Sequence, residues 1–239
     1  MKRLYQIFKW TILLCSIFWV LALLENQEKD TLLYLDELII NTSDHNFISK
    51  SIIYNYLKEN DYNLDSLAIS FLEMGELESL LLDHPFIRNA EVYCNQKGDL
   101  GIIIDTREAI VRIKNSKTDY YIDSDGLIMP LSSNYTARVI MITGDVTIKH
   151  HKYIIDFITL INNSLFWKSQ ITQLEFINDE VTIIPRVGDH KIYFGELINL
   201  NSKLDYLYAF YKKVFPVKGW KTYRDISLKY NNQIVCTKR

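Results

Sequence analysis

The stretch HPFIRNAEVYCNQKGDLGIIIDTREAIVRI, His84 to Ile113, decides how this chain is to be read. Pro85 pushes the residue before it out of the α region, so any helix upstream must stop there. Beyond it, FIRNAEVYC (Phe86–Cys94) and DLGIIIDTR (Asp99–Arg107) read as two strands. The NQKG between them is a hairpin turn that places Gly98 where a positive φ is easiest. Upstream, GELESLLLDH (Gly75–His84) carries Leu77, Leu80 and Leu81 at helical spacing. ISKSIIYNYLKEN (Ile48–Asn60) is an amphipathic helix opened by Ser49 or Ser51, and TLLYLDELIIN (Thr31–Asn41) is a strand. Strand, helix, helix, strand, strand is a compact α+β unit, expected over residues 30–113.

From about Glu108 the pattern becomes mostly β and is expected to form a second domain over 114–239. AIVRIK, DYYID and LIMPLS alternate, with Asp123-Ser124-Asp125-Gly126 as the turn between the last two. ARVIMIT follows, then a helix, HKYIIDFITLINNS, and three strands, ITQLEFI, EVTIIPRV and HKIYFG. A helix over Ser202–Phe215 carries Leu204, Leu207, Tyr208, Tyr211 and Phe215 on one face, with Ser202 and Asp205 as a capping box and Pro216 as its stop. The chain closes on DISLKYNNQIVCTKR, where Ile226, Leu228, Tyr230, Ile234 and Cys236 share one face of an extended backbone. Either one continuous strand runs through 226–236, or two short strands turn at Asn231-Asn232, because Asn accepts the left-handed φ a tight turn needs. The continuous strand with an exposed edge is the favoured expectation.

At the other end, residues 1–9 hold +3 (Lys2, Arg3 and Lys9, no acid) of a chain that totals −2, leaving −5 on the rest. WTILLCSIFWVLALL (Trp10–Leu24) follows without a charge. At ~1.5 Å per residue it spans about 22 Å, and extension back to Leu4 with Lys9 snorkelling gives about 31 Å, enough for a hydrocarbon core. No small-x-small site precedes ENQEKD, so an uncleaved anchor over residues 10–29 is expected in preference to a cleaved signal peptide or a core helix. The basic end stays inside as a short cytoplasmic tail, 1–9, and everything after Leu24 is exported.

Composition gives no electrostatic case for a nucleic-acid partner. Cys94 and Cys236 are expected to be buried free thiols, and no C-x-x-C supports redox chemistry. His84 beside Asp83 is read as a helix-end residue favoured by the dipole, and His150-His151 as a solvated helix start. Asp123-x-Asp125-Gly126 is half of a calcium loop without its third acid or terminal Glu, so a β-turn explains it better. No G-x-S-x-G, P-loop, S-x-x-K or H-E-x-x-H occurs. The sequence offers no catalytic set, no metal site and no cofactor site.

The His84–Ile113 segment resembles the second half of a POTRA domain of the FtsQ/DivIB cell-division family, with its h-P-[FY]-I-x-x-A-x-V pattern running through a turn into a strand. YYIDSDGLIMPLSSNYTARVIMITGD (Tyr120–Asp145) is similar to the start of that family's β domain. IPRVGDHKIYFG and the ISLKYNNQIVCTKR ending look most like FtsQ proteins of the Bacteroidota. Ala109 departs from the family, which has proline there. The resemblance implies a single N-terminal transmembrane helix, a POTRA-like α+β domain and a mostly antiparallel β domain with flanking helices. It implies a non-enzymatic inner-membrane scaffold at the division septum, with its C-terminal part periplasmic. FtsB- and FtsL-like partners would be held near the C-terminal strand, and upstream division components would meet the POTRA domain. On this reading an incoming segment adds to the last strand by β-augmentation, with Tyr230, Asn231, Asn232, Gln233, Ile234 and Val235 as the partner-binding residues. Tyr230 would supply an aromatic anchor, and the amides would keep the edge soluble. The alternative is a POTRA-containing assembly or secretion factor, which would need tandem POTRA repeats or a transmembrane barrel after Ile113.

Overall fold

A computed structural model describes residues 8–20, 33–42, 46–64, 72–95, 97–230 and 232–239. Residues 8–20 form helix α1, exposed along its length. No helix among the described residues is long and apolar enough to cross a membrane. The expected anchor, 10–29, extends past the C-terminal end of α1, onto positions that lie outside the described residues. The chain divides into two compact units, Met1–Thr106 and Arg107–Arg239.

The first unit contains β1 (Tyr34–Asn41), α2 (Lys50–Glu59), α3 (Met74–Leu82), β2 (Ile87–Cys94) and β3 (Asp99–Thr106), the expected order. Its sheet runs β1-β3-β2, with β1 parallel and β2 antiparallel to the central β3. Alternation explains why one sheet face is covered: Leu100, Ile102 and Ile104 are fully buried, and Ile53, Leu57, Leu77 and Leu81 bring the apolar stripes of α2 and α3 to the same core. Gly98 has φ 93°, as the hairpin requires. His84 lies at the end of α3, just after its C-cap Asp83, as expected. It is buried, with Tyr56 edge-on to its ring at 4.8 Å and the Phe86 N–H donating to Nδ1 at 3.4 Å, and burial lowers its pKa.

The second unit contains β4 (Ala109–Lys114), β5 (Asp119–Asp123), β6 (Ile128–Met129), β7 (Ile140–Gly144), α4 (His151–Asn162), α5 (Leu165–Gln170), β8 (Ile171–Ile177), β9 (Glu180–Pro185) and β10 (Lys191–Gly195). α6 (Leu200–Lys213), α7 (Phe215–Lys218), β11 (Tyr223–Ser227) and β12 (Val235–Lys238) complete it. One nine-stranded sheet holds them in the order β12-β11-β10-β9-β8-β7-β4-β5-β6. Pairing is mostly antiparallel, as expected; the parallel pairs are β4–β7, β7–β8 and β10–β11. The latter two are bridged by helices, because parallel neighbours need a crossover long enough to return along the sheet. Ile113, Ile142, Leu174, Ile183, Ile192 and Ile226 from the strands meet Ile154, Phe157, Ile158, Leu204, Leu207 and Tyr211 from α4 and α6 in a single core.

Several boundaries differ from expectation. The units part at Thr106, not after Ile113, because β4 pairs with β5 and β7 and belongs to the second sheet. Arg107 also belongs there: its Nη1 donates to Asp123 Oδ2 at 2.9 Å, and the Asp123 carboxylate is 1% exposed. Asp123 Oδ1 accepts from the backbone N–H of Asp125 and Leu127, so this aspartate organises the expected β-turn. LIMPLS pairs only at Ile128–Met129, because Pro130 has no N–H to continue the ladder. α6 starts earlier than expected, behind Asn199 at φ 53°, so Ser202 lies inside the first turn and forms no capping box. Pro216 sits in the first turn of α7, beyond the end of α6.

The solvated start expected for α4 is also replaced. His150 and His151 are both buried. His150 Nε2 meets Asp179 Oδ1 at 2.8 Å and His151 Nε2 meets the Tyr120 hydroxyl at 2.9 Å. A third histidine, His190, is 2% exposed against Tyr211 and Phe215, its Nε2 2.8 Å from the Tyr211 hydroxyl. Burial pushes its pKa down to about 4 and pushes that of Tyr211 up.

Two outcomes follow. His190 ionises near 6.5 when unfolded and about 4 when folded, so the unfolded state binds the extra proton between those values. Its stabilisation is complete above pH 6.5 and is lost as pH falls to about 4, a change of roughly 3 kcal/mol. Urea unfolding across this range should show that loss, and His190→Gln should lower the slope at pH 5 by about one proton, ~1.4 kcal/mol per pH unit. An unchanged slope would refute the buried neutral ring. Gly144, at φ 98°, has space for no side chain, since a Cβ would stand 2.0 Å from the Phe176 carbonyl oxygen. Gly144→Ala should cost about 2–3 kcal/mol in the same assay, because strained φ and a backbone clash act together.

Candidate functional site

The residues expected to hold a partner lie where the sheet ends. Residues 226–236 are not the continuous strand favoured by the sequence. β11 stops at Ser227, β12 starts at Val235, and the two pair antiparallel with Asp225 opposite Thr237 and Ser227 opposite Val235. Asn232 takes φ 59°, the left-handed conformation that lets the chain reverse, and Asn231 lies outside the described residues.

Within this hairpin the predicted residues separate. Ile234 and Cys236 pack against the core, as do Ile226 and Leu228, which are buried outright. Tyr230 leaves that face and is 56% exposed on the turn, beside exposed Asn232 and Gln233. Asn232 Oδ1 accepts from the Tyr206 hydroxyl of α6 at 3.3 Å. A groove of about 120 Å³ opens there, lined by Lys203, Tyr206, Leu228, Tyr230, Asn232 and Gln233 among others. Lys229 ties the start of the turn to Glu180 of β9 by an ion pair. Lys203 Nζ, its pKa lowered by burial, donates to the Phe194 and Glu196 carbonyls at 2.9 Å, so the groove wall is fixed.

Backbone direction identifies which groups face outward. The Leu228 N–H donates to the Tyr193 carbonyl of β10 at 2.9 Å, so Asp225 and Ser227 turn theirs to β12. The Arg239 N–H donates to the Thr222 carbonyl at 3.2 Å, so Val235 and Thr237 face β11 in turn. Cys236 and Lys238 therefore direct N–H and C=O to the open side of β12, which has no strand neighbour among the described residues. Nor does any side chain among the described residues hydrogen-bond to them. Both Cys236 and Lys238 lie outside the partner-binding residues expected from sequence, Tyr230–Val235; backbone parity reveals them. Cys236 is a half-buried free thiol whose pKa burial raises, so it is a poor nucleophile.

A second concavity, about 480 Å³, lies between Lys149, His150, Tyr153, Phe176, Asp179 and Ile198. Thr147 donates its N–H to His150 Nδ1 at 3.1 Å, so Nε2 carries the proton toward Asp179. Lys149, 3.2 Å from the same carboxylate, holds the Asp179 pKa below its usual range. This His–Asp pair has no serine or cysteine among the lining residues for it to activate. No group of three metal-ligating side chains occurs among the described residues.

Comparison with known proteins gives two family matches that follow the structural division. A POTRA-like domain matches residues 37–105. No curated protein matches the chain. The domain described as FtsQ/DivIB, C-terminal related, matches residues 108–237, the second unit almost end to end and more than half of the chain, and with it the chain belongs to the FtsQ/DivIB family.

Proposed function

We propose that this protein is a non-enzymatic, single-pass inner-membrane scaffold of the bacterial division machinery. Its N-terminal apolar segment, Trp10–Leu24, anchors it with residues 1–9 in the cytoplasm, and both units lie in the periplasm at the septum. FtsB- and FtsL-like proteins dock on the second unit by adding a strand to β12. The POTRA-like unit meets upstream division components. Family membership supports a division scaffold. The observation that carries the docking reading is the row of outward N–H and C=O groups at Cys236 and Lys238, unaccepted among the described residues. Tyr230, Asn232, Gln233 and Val235, all exposed, contribute side-chain contacts beside that row, while Ile234 supports it from the core.

Strand addition takes affinity from main-chain hydrogen bonds and specificity from alternate side chains. On β12 the outward side chains are Val235, 44% exposed, and Thr237. The secretion-factor alternative needs tandem POTRA repeats or a barrel after Ile113, the region that the FtsQ/DivIB C-terminal domain matches.

Proline at 238 tests the ladder. The Lys238 N–H faces away from β11, so Lys238→Pro removes an outward donor and spares the pairing that holds the fold. Pull-down of the FtsB- and FtsL-like pair by the full chain should fall at least about tenfold, with the thermal midpoint within about 2 °C of the parent. Thr237→Pro, which breaks the bond to β11, should lower the midpoint. Equal pull-down by a folded Lys238→Pro chain would exclude strand addition.

A further inference from the structure

Between α6 and β11 the second unit carries a knob rooted in the core by Phe215 but exposed at its tip. α7 makes a single turn with Pro216 near its start, and Gly219, at φ 81° and ψ 155°, ends it. The Thr222 hydroxyl donates to the Lys218 carbonyl, which doubles the chain back. Phe215 and Trp220 stack with ring centroids 4.5 Å apart, and Tyr211 stands edge-on to both at 4.8 and 5.6 Å. The knob is therefore rigid before anything binds.

What it presents is unusual for this chain. Val217 is 76% exposed and Trp220 38%. Lys212, Lys213, Lys218, Lys221 and Arg224 are the charged residues of 206–224, a run without an acid in a protein of net charge −2. Asp225, just after this run, pairs with Arg224 at 2.8 Å, and Asp189 pairs with Arg239 at 3.6 Å. Lys213, Lys218 and Lys221 enter no ion pair among the described residues. The knob also adjoins the end of β12, since the Arg239 N–H bonds the Thr222 carbonyl. Whichever way an added strand runs along β12, one of its ends passes Lys238 and Arg239 and arrives here.

We propose that the knob is a second contact for the polypeptide that docks on β12, taking an acidic flank of that segment: carboxylates against Lys218 and Lys221, and an apolar side chain on Val217 and Trp220. The proposal rests on the reading of β12 as a docking edge. Charge complementarity fixes the sign of the partner, and continuity with β12 favours a polypeptide over an anionic lipid surface, which has no reason to meet the end of a strand. Exposed charges of this kind act chiefly on encounter rate and salt dependence.

Photocrosslinking separates the outcomes. p-Benzoylphenylalanine replaces Val217 in one full-length chain and Val235 in another, each in a bacterial envelope. Both positions should capture the same protein, and the peptide joined at 217 should carry Asp or Glu beside the attachment point. Lys218→Glu with Lys221→Glu should cut the 217 adduct about fivefold or more and leave the thermal midpoint unchanged, because both side chains are in solvent. Lipid adducts alone at 217, no adduct there, or a yield indifferent to charge reversal, with the 235 adduct present, would overturn the knob and leave the β12 edge standing. An acidic adduct at 217 with none at 235 would do the reverse.

Discussion

A β-strand carries hydrogen-bonding groups along both of its sides, and the outermost strand of an open sheet leaves one row without a strand to receive it. In the second unit this constraint falls on β12. Its inner row is engaged with β11 through Asp225–Thr237 and Ser227–Val235, and its outer row belongs to Cys236 and Lys238. The strand is four residues long, ends in Lys238 and shows Thr237 to water. Each of these blunts indiscriminate pairing without removing a donor. An edge of this kind is compatible with the strand addition proposed above.

An edge can select a partner only if it is held still, and the packing behind β11 and β12 does this. Ile226 and Leu228 are buried beneath the hairpin, and Ile234 and Cys236 rest on the same core. α6 closes over them with Leu204, Leu207 and Tyr211, and Lys203 reaches back to two carbonyls at the end of β10, those of Phe194 and Glu196. The His190–Tyr211 pair lies at the centre of an aromatic cluster that includes Phe215 and Trp220, so helix, knob and sheet end share one set of contacts. Burying an imidazole there is tolerable only in its neutral form, which links the stiffness of this end to pH.

Local pattern made much of this fold legible. β8 was readable to the residue, because ITQLEFI alternates between clear breaks, and the five elements of the first unit appear in the expected order. The terminal hairpin misled for a specific reason. Its two halves, Ile226 and Leu228 and then Ile234 and Cys236, are an even number of residues apart, so alternation keeps the same parity through the turn and mimics one strand. Long-range partners misled elsewhere. His150 and His151 read as solvated until Asp179 and Tyr120, about thirty positions away in sequence, are folded against them. The unit boundary depends on Arg107 finding Asp123, a contact no local window contains.

The other edges of the two sheets sharpen the case for β12. At the far side of the nine-stranded sheet, β6 is two residues long and runs into Pro130, which cannot donate. In the first unit, edge strand β2 has its Val92 N–H taken up by Glu78 Oε1 of α3 at 2.9 Å, so a helix side chain occupies the position an incoming carbonyl would need. β1, at the opposite edge, carries a register shift between Leu35 and Glu37, which interrupts any regular ladder near its start. These edges are shortened, capped or bulged in part: β1 is regular over Glu37–Asn41, and the β11–β12 pairing carries its own register shift between Tyr223 and Asp225. β12 keeps a regular register to β11 along Val235–Thr237 and leaves its outward row unaccepted among the described residues. Natural sheets blunt edges that serve no purpose, and an outward row left unaccepted is what the strand-addition proposal uses.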